Sequence, residues 1–180
     1  MQSDNGVPLQ SAAKVPILVN FDVETDINSE KSYTKQQEQT SLTMGCIFKV
    51  GDDCRQDLLA LQVIELSRDI LKSVGLELWL DPYGVIPTGF ERGIIQVIPR
   101  CKSRTQLGEL HDGGLPEIYR RKFGPERSES WKRARHNLII SLAGYAVVSF
   151  LLWSKDRHNG NIMINDDGHL LHIDFGFILE

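Results

Sequence analysis

Two short stretches hold the residue types that chemistry needs. One is Lys155-Asp156-Arg157-His158-Asn159-Gly160-Asn161-Ile162-Met163, and the other is His172-Ile173-Asp174-Phe175-Gly176. Asp156 and Asn161 stand five positions apart, a spacing that suits a carboxylate meeting an attacking hydroxyl and an amide holding a metal. Asp174 opens an Asp-Phe-Gly and supplies a second oxygen donor, the kind hard Mg²⁺ takes. Phosphoryl transfer asks for this set: positioned phosphates, divalent metal over their oxygens, and a group aimed at the nucleophile. The bland alternative is a polar loop followed by a hairpin, because Asn165-Asp166-Asp167-Gly168 is an ordinary turn signal. Both motifs, in this order and separated by one hairpin, favour the chemical reading.

The elements that must position these groups follow from periodicity. Leu138 to Trp153 is apolar over 16 residues, short of the ~20 a membrane span needs. It reads as the buried end of one long helix from Trp131 to Trp153 that delivers the chain to Asp156. Ile162-Met163-Ile164 and Leu170-Leu171-His172-Ile173 then pair as a hairpin. If the second strand continues, His172 and Asp174 share a face, and Asp174 meets Asn161.

Upstream, Leu59, Val63, Leu66, Ile70 and Val74 form one apolar stripe on a helix over Asp57–Val74, with Gly75 as its stop. Leu76–Leu80 and Gly93–Ile98 read as strands, and Gly45–Val50 as a strand whose only charge is Lys49. Ser103–Ser130 reads as loop and short helix. Glu24–Ser41 is polar and reads as a mobile loop between strands.

Composition bounds the rest. With 180 residues and 41% hydrophobic content, the chain can form one domain or two small lobes around a cleft. A net charge of −4 argues against nucleic-acid binding. Residues 100–135 nevertheless hold ten Lys/Arg against five Asp/Glu; this is either a solvated helical face or an address for something anionic. Cys46, Cys54 and Cys101 are scattered, as expected of reduced thiols in a cytosolic protein. Met1–Gln10 has neither a basic nor an apolar region and does not read as a signal peptide. His158, His169 and His172 lack zinc-site spacing.

The inverted order Asp-Arg-His, with Gly-Asn-Ile-Met after it and His-Ile-Asp-Phe-Gly-Phe beyond, resembles the phosphatidylinositol 3- and 4-kinase superfamily. So does Gly51-Asp52-Asp53-Cys54-Arg55-Gln56-Asp57. Gln10-Ser11-Ala12-Ala13-Lys14-Val15-Pro16 and Glu91-Arg92-Gly93-Ile94-Ile95-Gln96-Val97-Ile98-Pro99 resemble its type III alpha 4-kinases. The resemblance spans nearly the whole chain.

It implies an α+β, two-lobe, protein-kinase-like fold with a truncated C-terminal lobe. Residues 1–95 would be the N-terminal lobe, 96–102 the hinge and 103–180 a partial C-terminal lobe. The implied reaction joins ATP, with Mg²⁺ or Mn²⁺, to phosphatidylinositol in a membrane surface, giving phosphatidylinositol 4-phosphate. The implied ATP-binding residues are Ser11 and Lys14 in a phosphate loop, Lys49, Asp57, Tyr83 in an inner adenine pocket, and the main chain of Gln96 and Ile98. Asn161 and Asp174 would hold the metal, and Asp156, Arg157 and His158 would be catalytic. Of the possible bases, a neutral histidine accepts a proton near pH 7, so His158 is expected nearer the proton, with Asp156 sharing the work.

The implied location is cytoplasmic and peripheral at membranes, the plasma membrane by resemblance. Scaffold or regulatory proteins are expected partners through regions outside the chain. The family's activation loop lies beyond Glu180, so the 180 residues alone are expected not to phosphorylate lipid. The alternatives are a 3-kinase or related protein kinase, and an inactive nucleotide-binding fragment.

Overall fold

The structure, a computed structural model, describes residues 7–8, 16–24, 41–110 and 113–179. Strand-forming runs rich in Ile, Val and Phe build a first antiparallel sheet. Its strands are β1 (Val7–Pro8), β2 (Ile17–Glu24), β3 (Ser41–Val50), β4 (Val85–Gly89) and β5 (Arg92–Gln96), in spatial order β1-β2-β3-β5-β4. The register sets Lys49 opposite Gly93 and Cys46 opposite Gln96. A second antiparallel sheet joins β6 (Cys101–Ser103), β7 (Ile162–Asn165) and β8 (Leu170–His172) in that order. The hairpin expected around Asn165–Gly168 is therefore formed. The Asn165 side-chain oxygen accepts from the N–H groups of Asp167 and His169 and closes the turn.

Helix α1 (Arg55–Ser73) has Asp57 in its first turn and Lys72 in its last, both favourable to the helix dipole. Gly75 follows at φ 80, the left-handed stop its position suggests. The expected stripe does not face the core, however. Leu59, Leu66, Ile70 and Val74 are exposed, whereas Asp57, Ala60, Leu61 and Ile64 are buried. The core side is a narrower face that includes a carboxylate and an alanine, so counting large apolar residues selected the wrong side. No strand forms over 76–80, because this segment runs beside a helix and has no ladder to join. Its Trp79 N–H donates to the Ile140 carbonyl.

Two helices, α2 (Arg104–Leu110) and α3 (Leu115–Phe123), occupy the stretch read as loop and short helix. Helix α4 (Glu129–Leu151) starts at Ser128, whose hydroxyl accepts the Trp131 N–H. It buries Ala134, Ser141, Gly144, Tyr145 and Val148. Ser141 Oγ accepts the Leu170 N–H at 2.9 Å and pins α4 to β8. At Gly144 a Cβ would lie 3.0 Å from the Trp79 carbonyl, so only glycine admits that approach.

The opposite face of α4 is apolar and open. Ile139, Leu142, Val147 and Leu151 are exposed, and Phe150 is 84% exposed. Among the described residues nothing covers them. By length and composition alone α4 could cross a membrane, but its other face is packed into the main core with Leu80, Leu171 and Phe175.

Gly168 offers a test of the second core. It sits at φ 87, and a Cβ there would lie 2.9 Å from Ala134 Cβ, while its carbonyl accepts the Tyr119 hydroxyl at 2.7 Å. Gly168→Ala combines left-handed strain with overpacking and is expected to cost about 2–4 kcal/mol. A denaturant midpoint equal to wild type would contradict this packing.

Candidate active site

Helix α4 releases the chain at Leu152, and Trp153 and Asp156 then take φ 46 and φ 56. Non-glycine residues rarely occupy this region, and aspartate is among those that tolerate it. The loop is held from both ends. Lys155 N–H donates to the Phe177 carbonyl, and Leu179 N–H to that of Leu152.

His158 caps a 3-10 turn (Asn159–Asn161), with its Nδ1 accepting the Gly160 N–H at 3.0 Å. A neutral imidazole has one acceptor nitrogen, so this bond places the proton on Nε2. That Nε2 lies 3.9 Å from Asp156 Oδ2. Asn161 is buried; its amide N–H donates to the Asp156 carbonyl at 3.1 Å, and its own carbonyl accepts from Ile173 N–H at 3.1 Å. No hydrogen bond to its side-chain oxygen is made among the described residues.

Strand β8 stops at His172, so His172 and Asp174 do not share a face. His172 is buried, with Nδ1 3.2 Å from Ser149 Oγ and its ring stacked on Tyr145. Burial, and secondarily the Arg157 charge, pull its pKa down to about 4. Asp174 is exposed and takes φ 61. Its N–H donates to Tyr83 Oη at 3.2 Å, and the next N–H, of Phe175, donates to Asp57 Oδ1 at 2.7 Å. Burial pushes the Asp57 carboxyl above its ordinary range, against the Phe175 hydrogen bond that lowers it. The Arg157 guanidinium donates to the carbonyls of Lys155 and Ile173 at 2.8 Å and to that of Asp174.

A cavity of about 320 Å³ lies between the two sheets. Ile47 and Lys49, two apart on β3, reach it from one side; Met163, Ile173 and Asp174 line the other, with Asp57 and Tyr83 behind. Along the connection from Gln96 to Ile98, the Gln96 N–H is tied to the Gly84 carbonyl and the Val97 N–H to the Gly45 carbonyl. The Ile98 N–H is left without a partner among the described residues. The lining thus combines apolar side chains and Ile98 with the charged Lys49, Asp57 and Asp174. Lys49 Nζ lies 3.6 Å from Asp52 Oδ2. With Asp52 exposed and Lys49 half-buried, such a pair is worth about 1 kcal/mol, so the ammonium can turn to a ligand at little cost.

The donor set fits Mg²⁺. Asn161 and Asp174 offer oxygen only, and among the described residues no three His, Cys, Asp or Glu side chains gather. Mg²⁺ is held in this way, by one or two protein oxygens with phosphates and water. His158, His169 and His172 belong to no such group.

The structure therefore brings Lys49, Asp57, Tyr83, Gln96, Ile98 and Asp174 to one cavity, and ties Asp156, Arg157, His158 and Asn161 into the loop beside it. Ser11 and Lys14 lie outside the described residues. Sequence reasoning missed Cys101, Gln106 and Met163 as lining residues. Met163 lay within a motif already singled out, whereas Gln106 gave no signal.

The model of the family described as phosphatidylinositol 3- and 4-kinase matches residues 43–123 and 113–180. Phosphatidylinositol 4-kinase alpha 1 of Arabidopsis thaliana is 59% identical over 177 residues, 98% of this chain and 8% of that protein. Phosphatidylinositol 4-kinase alpha 2 of the same plant is 54% identical over 100% of this chain and 31% of its own length. Phosphatidylinositol 4-kinase STT4 of Saccharomyces cerevisiae is 48% identical over 98% of this chain and 9% of its own length. The chain thus spans less than a third of each of these relatives.

Proposed function

Because the chain belongs to the phosphatidylinositol 3- and 4-kinase family, we propose that it binds ATP with Mg²⁺ (or Mn²⁺) between its sheets and transfers the γ-phosphate to the 4-hydroxyl of phosphatidylinositol. One observation carries this reading: a single cavity is lined both by apolar residues, Ile47, Ile95, Ile98 and Met163 among them, and by Lys49, Asp57 and Asp174. The names of the relatives favour the 4-position.

In this proposal the first sheet with α1 is the smaller lobe of a two-lobe kinase fold, over residues 1–95. Residues 96–102 are the hinge and 103–180 belong to the larger lobe. The Ile98 N–H and the Gln96 carbonyl hold the adenine edge, while Ile47, Ile95 and Met163 exclude water from its faces. Lys49 neutralises the α and β phosphates, aided by Ser11 and Lys14. Asn161 and Asp174 hold the metal, which offsets charge developing on the transferred phosphoryl group. The Asp156–His158 pair handles the inositol proton. With Gly160 N–H on His158 Nδ1, the resting acceptor is the Asp156 carboxylate, and His158 Nε2–H lies beside it. The protein works peripherally at membranes, the plasma membrane included, with scaffold or regulatory partners.

The test offers labelled ATP to the whole protein with phosphatidylinositol vesicles in one arm and a peptide in the other. Label on the 4-position of the lipid is expected. Label on the peptide, or on the 3-position, would overturn the proposal.

A further inference from the structure

Asp174 stands in the left-handed region at φ 61, a conformation that persists in a non-glycine residue only when its surroundings impose it. Three side chains from three separate parts of the chain supply that constraint. Asp57, on α1, accepts the Phe175 N–H at 2.7 Å. Tyr83, before β4, accepts the Asp174 N–H at 3.2 Å. Arg157, in the catalytic loop, donates to the carbonyls of Ile173 (2.8 Å) and Asp174, and lies 5.3 Å over the Phe175 ring. Asp57 and Tyr83 are buried and Arg157 is half-buried, so these bonds do not compete freely with water. Arg157 and Asp57 thus meet a three-residue turn from opposite sides, one on its carbonyls and one on its N–H.

We propose that Asp57, Tyr83 and Arg157 form one clamp on the main chain of Ile173–Phe175, holding the Asp174 turn so that its carboxylate is presented to the metal of a bound nucleotide. On this account Asp57 and Arg157 are positioning residues. Asp57 acts through its hydrogen-bond acceptance and not through direct contact with phosphate. The clamp also couples α1 to the metal site, so that a displacement of α1 releases one anchor of the turn. The metal-presenting half of the inference rests on the proposed nucleotide site, whereas the clamp itself does not.

The test uses the whole protein and two readouts other than turnover. The first is hydrogen exchange of the Asp174 and Phe175 amides. The second is the ratio of affinities for a fluorescent ATP analogue with Mg²⁺ and with EDTA. Asp57→Ala is expected to speed Phe175 exchange about ten-fold or more, the loss of one buried hydrogen bond. It should shrink the Mg²⁺-dependent gain in affinity by a similar factor. Asp57→Asn keeps an acceptor oxygen for the Phe175 N–H and is expected to restore both. Tyr83→Phe removes a neutral acceptor without opening a cavity and should speed Asp174 exchange, which serves if Asp57→Ala does not fold. Unchanged exchange in Asp57→Ala and Tyr83→Phe would overturn the clamp. So would an Asp57→Asn variant as damaged as Asp57→Ala, because charge would then be the operative property. Wild-type protein with no Mg²⁺-dependent gain would instead defeat the nucleotide reading, leaving the clamp to be judged by exchange alone.

Discussion

Asp174→Asn is expected to abolish phosphoryl transfer, lowering kcat by about a thousand-fold or more, which corresponds to about 4 kcal/mol of lost transition-state stabilisation. The asparagine variant is the informative one, because asparagine tolerates the left-handed backbone that position 174 adopts, whereas alanine at φ 61 adds strain. Nucleotide affinity without metal should change little, since the Ile98 N–H and the apolar slot are untouched. The measurement is single-turnover transfer alongside analogue binding in EDTA. Near-wild-type turnover would remove Asp174 from the metal site.

Lys49→Met is the second large effect. The ammonium sits in a cavity wall and, among the described residues, its one ion-pair partner is an exposed carboxylate, Asp52. Removing it therefore costs the fold little, while the phosphates lose a positioned charge. The expected loss in kcat/KM for ATP is about a hundred-fold, or about 2.7 kcal/mol, with a thermal midpoint near wild type. Unchanged ATP kinetics in a folded variant would show that Lys49 serves only its pair with Asp52.

Much of the site was legible in the sequence because its parts are local. Asp156, His158 and Asn161 share one loop, and the 3-10 turn that His158 caps binds them to one another. The hairpin was legible because Asn165-Asp166-Asp167-Gly168 carries its own turn chemistry. What was not legible depends on partners distant in sequence. The buried face of α1 is chosen by what packs on it; Asp57 lies inward because Phe175, 118 residues away, offers it an N–H. The left-handed backbone at Asp156 and Asp174 leaves no mark in the sequence, as both are ordinary aspartates held by tertiary bonds. The resemblance implied a catalytic place for Arg157 without saying what its side chain touches. Its guanidinium reaches the main-chain carbonyls of Ile173 and Asp174, which only the folded chain brings near. Helix α4 is apolar on most sides by composition, yet composition does not say which face the neighbours cover: Tyr145 and Val148 are buried while Val147 and Phe150 are exposed.

The most direct measurement of the central claim is a structure of the protein with a non-hydrolysable ATP analogue and Mg²⁺. The account predicts the adenine edge on the Ile98 N–H, the Lys49 ammonium on the α and β phosphates, and the metal between the Asn161 side-chain oxygen and the Asp174 carboxylate. A nucleotide bound outside the cavity between the two sheets, or a metal held without Asp174, would contradict it.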